Sequence, residues 1–263
     1  MNLFEKILIF LQGKMIEPIQ FGIYHISWVI VSILLVIILY KFRHEYNKKQ
    51  CNIILYTYGI IALILELLKQ LIWTFEYKNN ILIYDYQWYE LPFQFCTTPI
   101  FVTLLIPLIK NNKIRDSLIS YISFFTILGS IMTMILPDSC LTNYTLVNIH
   151  TMWLHCGSFV ISCYLIINNK FNFKKLISGF YVFIIFVLLA NTLNIVFYNT
   201  NIIGNETFNM FYISPYFISE LPIYNIIQQN VPYIVYLLFY ILTIFIGSLI
   251  IYNTTRFIKK LID

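Results

Sequence analysis

Charge is scarce in this 263-residue chain: 11% of its residues are Asp, Glu, Lys or Arg, against 59% hydrophobic ones. The mean hydropathy is +0.76. A soluble domain carries about 25% charged residues, so this chain lacks the means to cover a water-facing surface, and lipid is its expected solvent. It has no glycine-rich phosphate loop and no dinucleotide-binding pattern. It has no extended basic patch either, so a nucleic-acid partner is not expected. Its five cysteines (Cys51, Cys96, Cys140, Cys156, Cys163) are odd in number and show neither framework nor metal-ligand spacing. His150 and His155 are five apart, where a helix would align ligands four apart, so neither a metal nor a cofactor is expected. The apolar run Ile7–Leu11 is too short for a cleavable signal peptide and lacks a small-residue cleavage site. The last apolar stretch holds no lysine for a retinal Schiff base. No internal repeat and no second domain appear.

What the chain does have is apolar runs of spanning length, about 20 residues each. Seven stretches qualify: 21–40, 53–75, 91–109, 118–136, 147–167, 176–198 and 231–252. In the third, Gln94, Thr97 and Thr98 lower the hydropathy, and Pro92, Pro99 and Pro107 interrupt it. Residues 1–20 are too broken to span and are expected to lie in the membrane interface, leaving 21–263 as a single transmembrane domain. The basic residues supply an internal check. Lys41, Arg43, Lys48, Lys49, Lys110, Lys113, Arg115, Lys170, Lys174, Lys175, Arg256, Lys259 and Lys260 fall in alternate loops and the tail. The intervening segments hold only Lys6, Lys14 and Lys78, with most of the acids. Thirteen basic residues against three, alternating without a break, require an odd number of spans. The expected fold is an all-α polytopic bundle of seven transmembrane helices, N-terminus outside and C-terminus inside, in the cell membrane. The formal charge of +5 thus records topology rather than a phosphate-binding surface.

Polar residues inside spans are costly and are candidates for function. Here they share a depth. Nearly all of His25, Glu66, Lys69, Gln70, Gln94, Cys96, Thr97, His150, His155, Asn191 and Asn194 fall in the expected outer half, with Gln94, Cys96 and Thr97 in the first two turns of the third helix. The inner halves, such as 29–40 and 241–252, are almost purely apolar. The pattern describes a polar cavity open to the outer leaflet. Each residue also has a plain structural explanation. Glu66 and Lys69, three apart, can neutralise each other. His25 and His150 can bond between helices. Asn191 and Asn194 can serve as packing contacts in a chain rich in Asn, and Cys96, Cys156 and Cys163 can be small buried side chains. A cysteine and a histidine at matching depth on adjacent helices would go further, because a buried thiol is a nucleophile only when a base takes its proton.

The run Leu91-Pro92-Phe93-Gln94-Phe95-Cys96 resembles the Leu-Pro-Leu-His-Leu-Cys signature of the YwaF-like bacterial integral membrane proteins, relatives of transmembrane protein 164. Other segments agree in order: Glu66 through Trp73; Pro137-Asp138; His155 with Tyr164-Leu165; Asn194, Gly204-Asn205 and Pro215. The resemblance runs from about His25 to Pro215. It implies a seven-span membrane enzyme whose animal members are cysteine-dependent acyltransferases acting on lyso-ether phospholipids. His155 matches the family histidine directly. The animal thiol follows the proline at once, where this chain has Phe93 and Gln94. Cys96 stands three residues further on and matches the bacterial cysteine, and Gln94 replaces the usual His.

These readings converge on acyl transfer, or acyl-ester hydrolysis, on a phospholipid in the outer half of the bilayer. Cys96 is the expected nucleophile and His155 its general base, with Gln94, Thr97 or Thr98 donating to the oxyanion and Glu66 orienting a histidine or fixing Lys69. His150, His25 and Asn194 complete the polar set. The alternative is a non-enzymatic binder or transporter of a small amphipathic solute, with Glu66 and Lys69 as charge anchor.

Overall fold

The computed structural model describes residues 2–43, 47–78, 81–137 and 140–262; Asp138, of the Pro137-Asp138 match, lies outside them. The described helices are α1 (Leu3–Leu11), α2 (Ile23–Lys41), α3 (Lys48–Thr74), α4 (Thr98–Leu105), α5 (Asn112–Tyr121), α6 (Ile127–Ile135), α7 (Thr145–Asn168), α8 (Phe173–Asn199), α9 (Tyr224–Asn230) and α10 (Tyr233–Ile262). A π turn at Ile122–Thr126 joins α5 and α6 into one rod, Asn112–Ile135. Its wide turn leaves the Ile122 carbonyl open to the hydroxyls of Ser162 (2.8 Å) and Thr126 (3.0 Å). The starts are locally encoded: Asn2 with Glu5, and Asn47 with Gln50, form reciprocal capping boxes at α1 and α3.

Six helices are long and apolar enough to cross a membrane: α2, α3, the α5–α6 rod, α7, α8 and α10. The expected third helical span is not among them. Only Thr98–Leu105 of the 91–109 stretch is helical, about 12 Å by rise. Pro99 has no amide hydrogen to bond the Phe95 carbonyl and is tolerated only in a helix's first turn, so α4 starts at Thr98 and does not extend back through Gln94–Thr97. The chain nevertheless runs the full height of the bundle here. At its start, the Glu90 carbonyl accepts from Gln70 Nε2 (2.6 Å) near the end of α3. At its finish, Arg115 joins the Ile106 carbonyl (3.1 Å) to Asn52 (2.9 Å) near the start of α3. Asn52 and Gln70 are about 27 Å apart along a helix, close to the roughly 30 Å hydrocarbon thickness. Seven passes therefore stand, the third as a partly unwound strand with a short helix.

A second departure from an all-α chain is a small hairpin, β1 (Phe75–Lys78) against β2 (Ile81–Tyr84), antiparallel with Phe75 opposite Tyr84. Stretch 199–230, between α8 and α10, folds as a cap with a 3-10 turn at Met210–Tyr212 and helix α9. The amino-terminal segment is bound in: Gln12 Nε2 donates to the carbonyls of Ile72 and Phe75 at the end of α3. Lys14 pairs as an isolated β-bridge with Tyr144, where α7 begins, flanked by backbone bonds Met15 to Asn143 (2.8 Å) and Thr145 to Gly13 (3.0 Å). α1 itself leaves Leu3, Phe4, Ile7 and Phe10 exposed and buries Leu8.

α7 is the central helix: 67% of its apolar stretch is buried, against 11% for the peripheral α2. α3 packs between α4 and α7, and two glycines set the approach. A Cβ at Gly59 would sit 2.8 Å from the Thr103 hydroxyl and the Leu104 side chain; one at Gly157 would sit 2.7 Å from the Tyr58 ring. Gly59→Leu overpacks the α3–α4 contact and is expected to cost about 1–3 kcal/mol or more, read as a lowered thermal midpoint in detergent. Gly204→Ala meets no neighbouring atom and strains only its own left-handed backbone (φ +55°).

Candidate functional site

The buried face of α3 runs Leu55, Tyr58, Ala62, Glu66, Lys69 at helical spacing. Its upper part carries a cluster of charges. Lys69 Nζ lies 3.1 Å from Glu66 Oε1 and 2.9 Å from Glu90 Oε2. Gln70 Nε2 donates to Glu66 Oε1 at 2.8 Å. His150 Nε2, on α7, stands 2.8 Å from Glu66 Oε2. The ring N–H is not in line with the carboxylate, so neither atom completes a hydrogen bond, and His150 Nδ1 is buried without a partner. Isolated charges in a bundle core are prohibitively costly and persist only when paired; one lysine between two carboxylates meets that condition. The expectation that Glu66 and Lys69 neutralise each other thus holds with two additions, Glu90 and His150. Glu90 immediately precedes the Leu91-Pro92 signature, and an acid at the mouth of a span beside a buried lysine was the available signal. Tyr58 was equally legible, two helical turns before Glu66 on the same face.

The unwound part of the third pass carries Gln94, Cys96 and Thr97, which therefore do not occupy helical turns. Gln94 is bound to the cap at both ends of its amide: Nε2 donates to the Asn209 carbonyl (3.1 Å), and Oε1 accepts from the Phe211 amide (2.8 Å). Phe211 and Tyr212 hold positive φ (59° and 58°), a costly conformation for bulky residues. Gln94 and the Tyr236 hydroxyl, which donates to the Tyr212 carbonyl at 2.6 Å, hold that turn. Thr97 donates back to the Gln94 carbonyl and Thr98 to that of Phe95, both at 2.8 Å; Thr98 also meets the Tyr121 hydroxyl at 2.7 Å. The backbone amides of Phe95 and Thr98 make no hydrogen bond among the described residues. They gather at the start of α4, where helix geometry leaves amides unpaired. Cys96 is half-buried, packed against the apolar core of the bundle. It lies within electrostatic reach of Lys69, Glu66 and Cys140, and of Tyr58 and Tyr121.

On α7 a buried polar stripe runs Asn148, Thr151, His155, Ser158, Ser162, one face of the helix at three- and four-residue spacing. Four of these have partners: Asn148 at Thr142, Thr151 at the Cys140 carbonyl, Ser158 at the Tyr58 hydroxyl (2.6 Å) and Ser162 at Ile122. His155 has no hydrogen bond among the described residues and retains 7% of its surface. The Tyr58 hydroxyl also bonds the Leu154 carbonyl (3.2 Å), so its bonds bracket His155, while Tyr58 is itself within reach of Cys96. His155 lies about 7.5 Å along the axis from His150.

The remaining expected residues lie apart. His25, 1% exposed, accepts the Phe21 amide on Nδ1 (3.2 Å), and its Nε2 has no partner. Asn194 bonds the Met210 backbone in both directions (3.0 and 2.7 Å) and Asn191 accepts the Tyr233 hydroxyl; both anchor the cap. No group of three or more metal-ligating side chains occurs among the described residues. Two depressions of about 190 and 390 Å³ lie on the cap, around Gln228 and around Asn205; neither touches Cys96 or His155.

No curated protein and no solved structure matches this chain. The model of the TMEM164 family matches it over residues 20–252.

Proposed function

Since the chain belongs to the TMEM164 family, we propose that it is a thiol-dependent acyltransferase, or lipid acyl hydrolase, of the cell membrane. It acts on phospholipid acyl chains from the acidic end of the bundle, which faces outward, with α1 lying in the interface. The observation that carries this reading is the unwound third pass. It sets a half-buried thiol between two unpaired backbone amides, those of Phe95 and Thr98. His155 takes the Cys96 proton, and the thiolate attacks an acyl carbonyl. The amide of Thr98, at the positive end of α4, receives the oxyanion. Gln94, whose amide is engaged by the cap, positions this segment, and Thr97 and Thr98 brace it from the Gln94 and Phe95 carbonyls. Alkoxide expulsion leaves a Cys96 thioester; an acceptor hydroxyl or water then resolves it.

The test is acyl exchange between a labelled phospholipid and a lysophospholipid by purified protein in nanodiscs. Cys96→Ala is expected to abolish it and His155→Ala to lower it by about 10²–10⁴-fold; full activity of both variants eliminates the mechanism. The unwound pass also favours a second reading, transport of a small amphipathic solute, because broken helices line the midplane sites of transporters. Solute flux into proteoliposomes unaffected by Cys96→Ala would select it.

A further inference from the structure

The charge cluster contains a pair that the reaction above leaves unused. Glu66 and His150 stand as carboxylate and imidazole, 2.8 Å apart, on neighbouring helices. Glu66 is held from its other oxygen by Lys69 and Gln70, and Lys69 in turn by Glu90. His150 is 4% exposed, and its Nδ1, on the ring edge away from Glu66, is buried without a partner. A fixed carboxylate behind an imidazole, with the far nitrogen open, is the arrangement by which proteins orient a general base. The misalignment of the ring N–H is usual before substrate binds, since such bonds tighten only in the reacting complex. His155, by contrast, has no orienting group among the described residues.

We propose that His150, positioned by Glu66, is a second base of this site, specific to an uncharged alcohol acceptor. The inference rests on the thioester reading above and deepens it. In the first half-reaction His155 carries the Cys96 proton to the departing alkoxide of the donor. In the second, the acceptor hydroxyl gives its proton to His150 Nδ1 as its oxygen bonds to the thioester carbonyl carbon. The carbon–sulfur bond breaks with its electron pair on sulfur, and the proton returns from His150 to that sulfur. Donor ester and acceptor alcohol become donor alcohol and acceptor ester, with no other reagent. Cys96 lies within electrostatic reach of Glu66, the carboxylate that His150 faces.

The experiment forms the Cys96 thioester from an activated fatty acyl ester on the full-length protein and follows its discharge by mass spectrometry. One arm supplies a long-chain alcohol acceptor. The other supplies hydroxylamine, a nucleophile that needs no general base. In Glu66→Gln and His150→Gln, which keep polar side chains of similar size, the thioester is expected to form. Its discharge to the alcohol should fall about 10²-fold or more, while hydroxylamine should clear it at the wild-type rate. Alcohol discharge at the wild-type rate in His150→Gln overturns the proposal. Equal slowing in both arms also overturns it, because that marks a structural role. If the wild-type protein forms no thioester on Cys96, the acyl-transfer reading itself falls, a result distinct from the other two.

Discussion

Cys96→Ala is expected to lower acyl exchange by on the order of 10⁴-fold or more, with no labelled acyl-enzyme, while the protein keeps its thermal midpoint. The size follows from removing the only atom that forms a covalent bond: what survives is ground-state binding and oxyanion stabilisation, a small residue of the catalysed rate. His155→Ala is expected to cost about 10²–10⁴-fold, the usual share of a general base. The control lies in the other thiols. Cys51, Cys156 and Cys163 pack on α3 and α7 as small apolar side chains, and their alanine variants should exchange acyl groups at near wild-type rates. Parallel loss in the Cys163→Ala variant would show that the assay reads packing rather than nucleophilic chemistry.

Lys69→Ala has the second-largest expected effect, on stability. Removing the lysine leaves Glu66 and Glu90 facing each other across a buried gap, and an uncompensated buried charge costs about 3–5 kcal/mol. At roughly 2–4 °C per kcal/mol, the thermal midpoint in detergent should fall by on the order of 10 °C. Lys69→Met combined with Glu66→Gln and Glu90→Gln should recover most of it, since a buried ion group replaced whole by neutral side chains is often close to neutral in stability. Lys175→Ala provides the contrast. Its 2.9 Å pair with Asp116 is partly solvated, the two side chains being 33% and 40% exposed, so about 1 kcal/mol or less is at stake.

The passes and their order could be read from the sequence because basic residues and apolar runs report location one residue at a time. The third pass could not be read correctly. Hydropathy sums composition over a window and is blind to the backbone, whereas Pro99, confined to a helix's first turn, sets the start of α4 at Thr98. Pairs distant in sequence were hidden for another reason. Gln94 finds its partners at Asn209 and Phe211, more than a hundred residues on, and Lys69 reaches Glu90 only because the hairpin at 75–84 turns the chain back. That Glu66, Lys69 and His150 meet at one level was legible, since helical rise converts numbering into height. That His150 faces Glu66 of α3 required the packed bundle.

The β-bridge between Lys14 and Tyr144 bears on how the protein is made. At roughly 5–20 residues per second, the ribosome needs on the order of ten seconds to supply Tyr144 after Lys14 has left the peptidyl-transferase centre. Throughout that interval the leading segment has no strand to pair with, and four passes are inserted before its mate arrives. A mutation that slows synthesis ahead of α7 prolongs this unmated period, and with it the exposure of the nascent amino terminus to quality-control proteases.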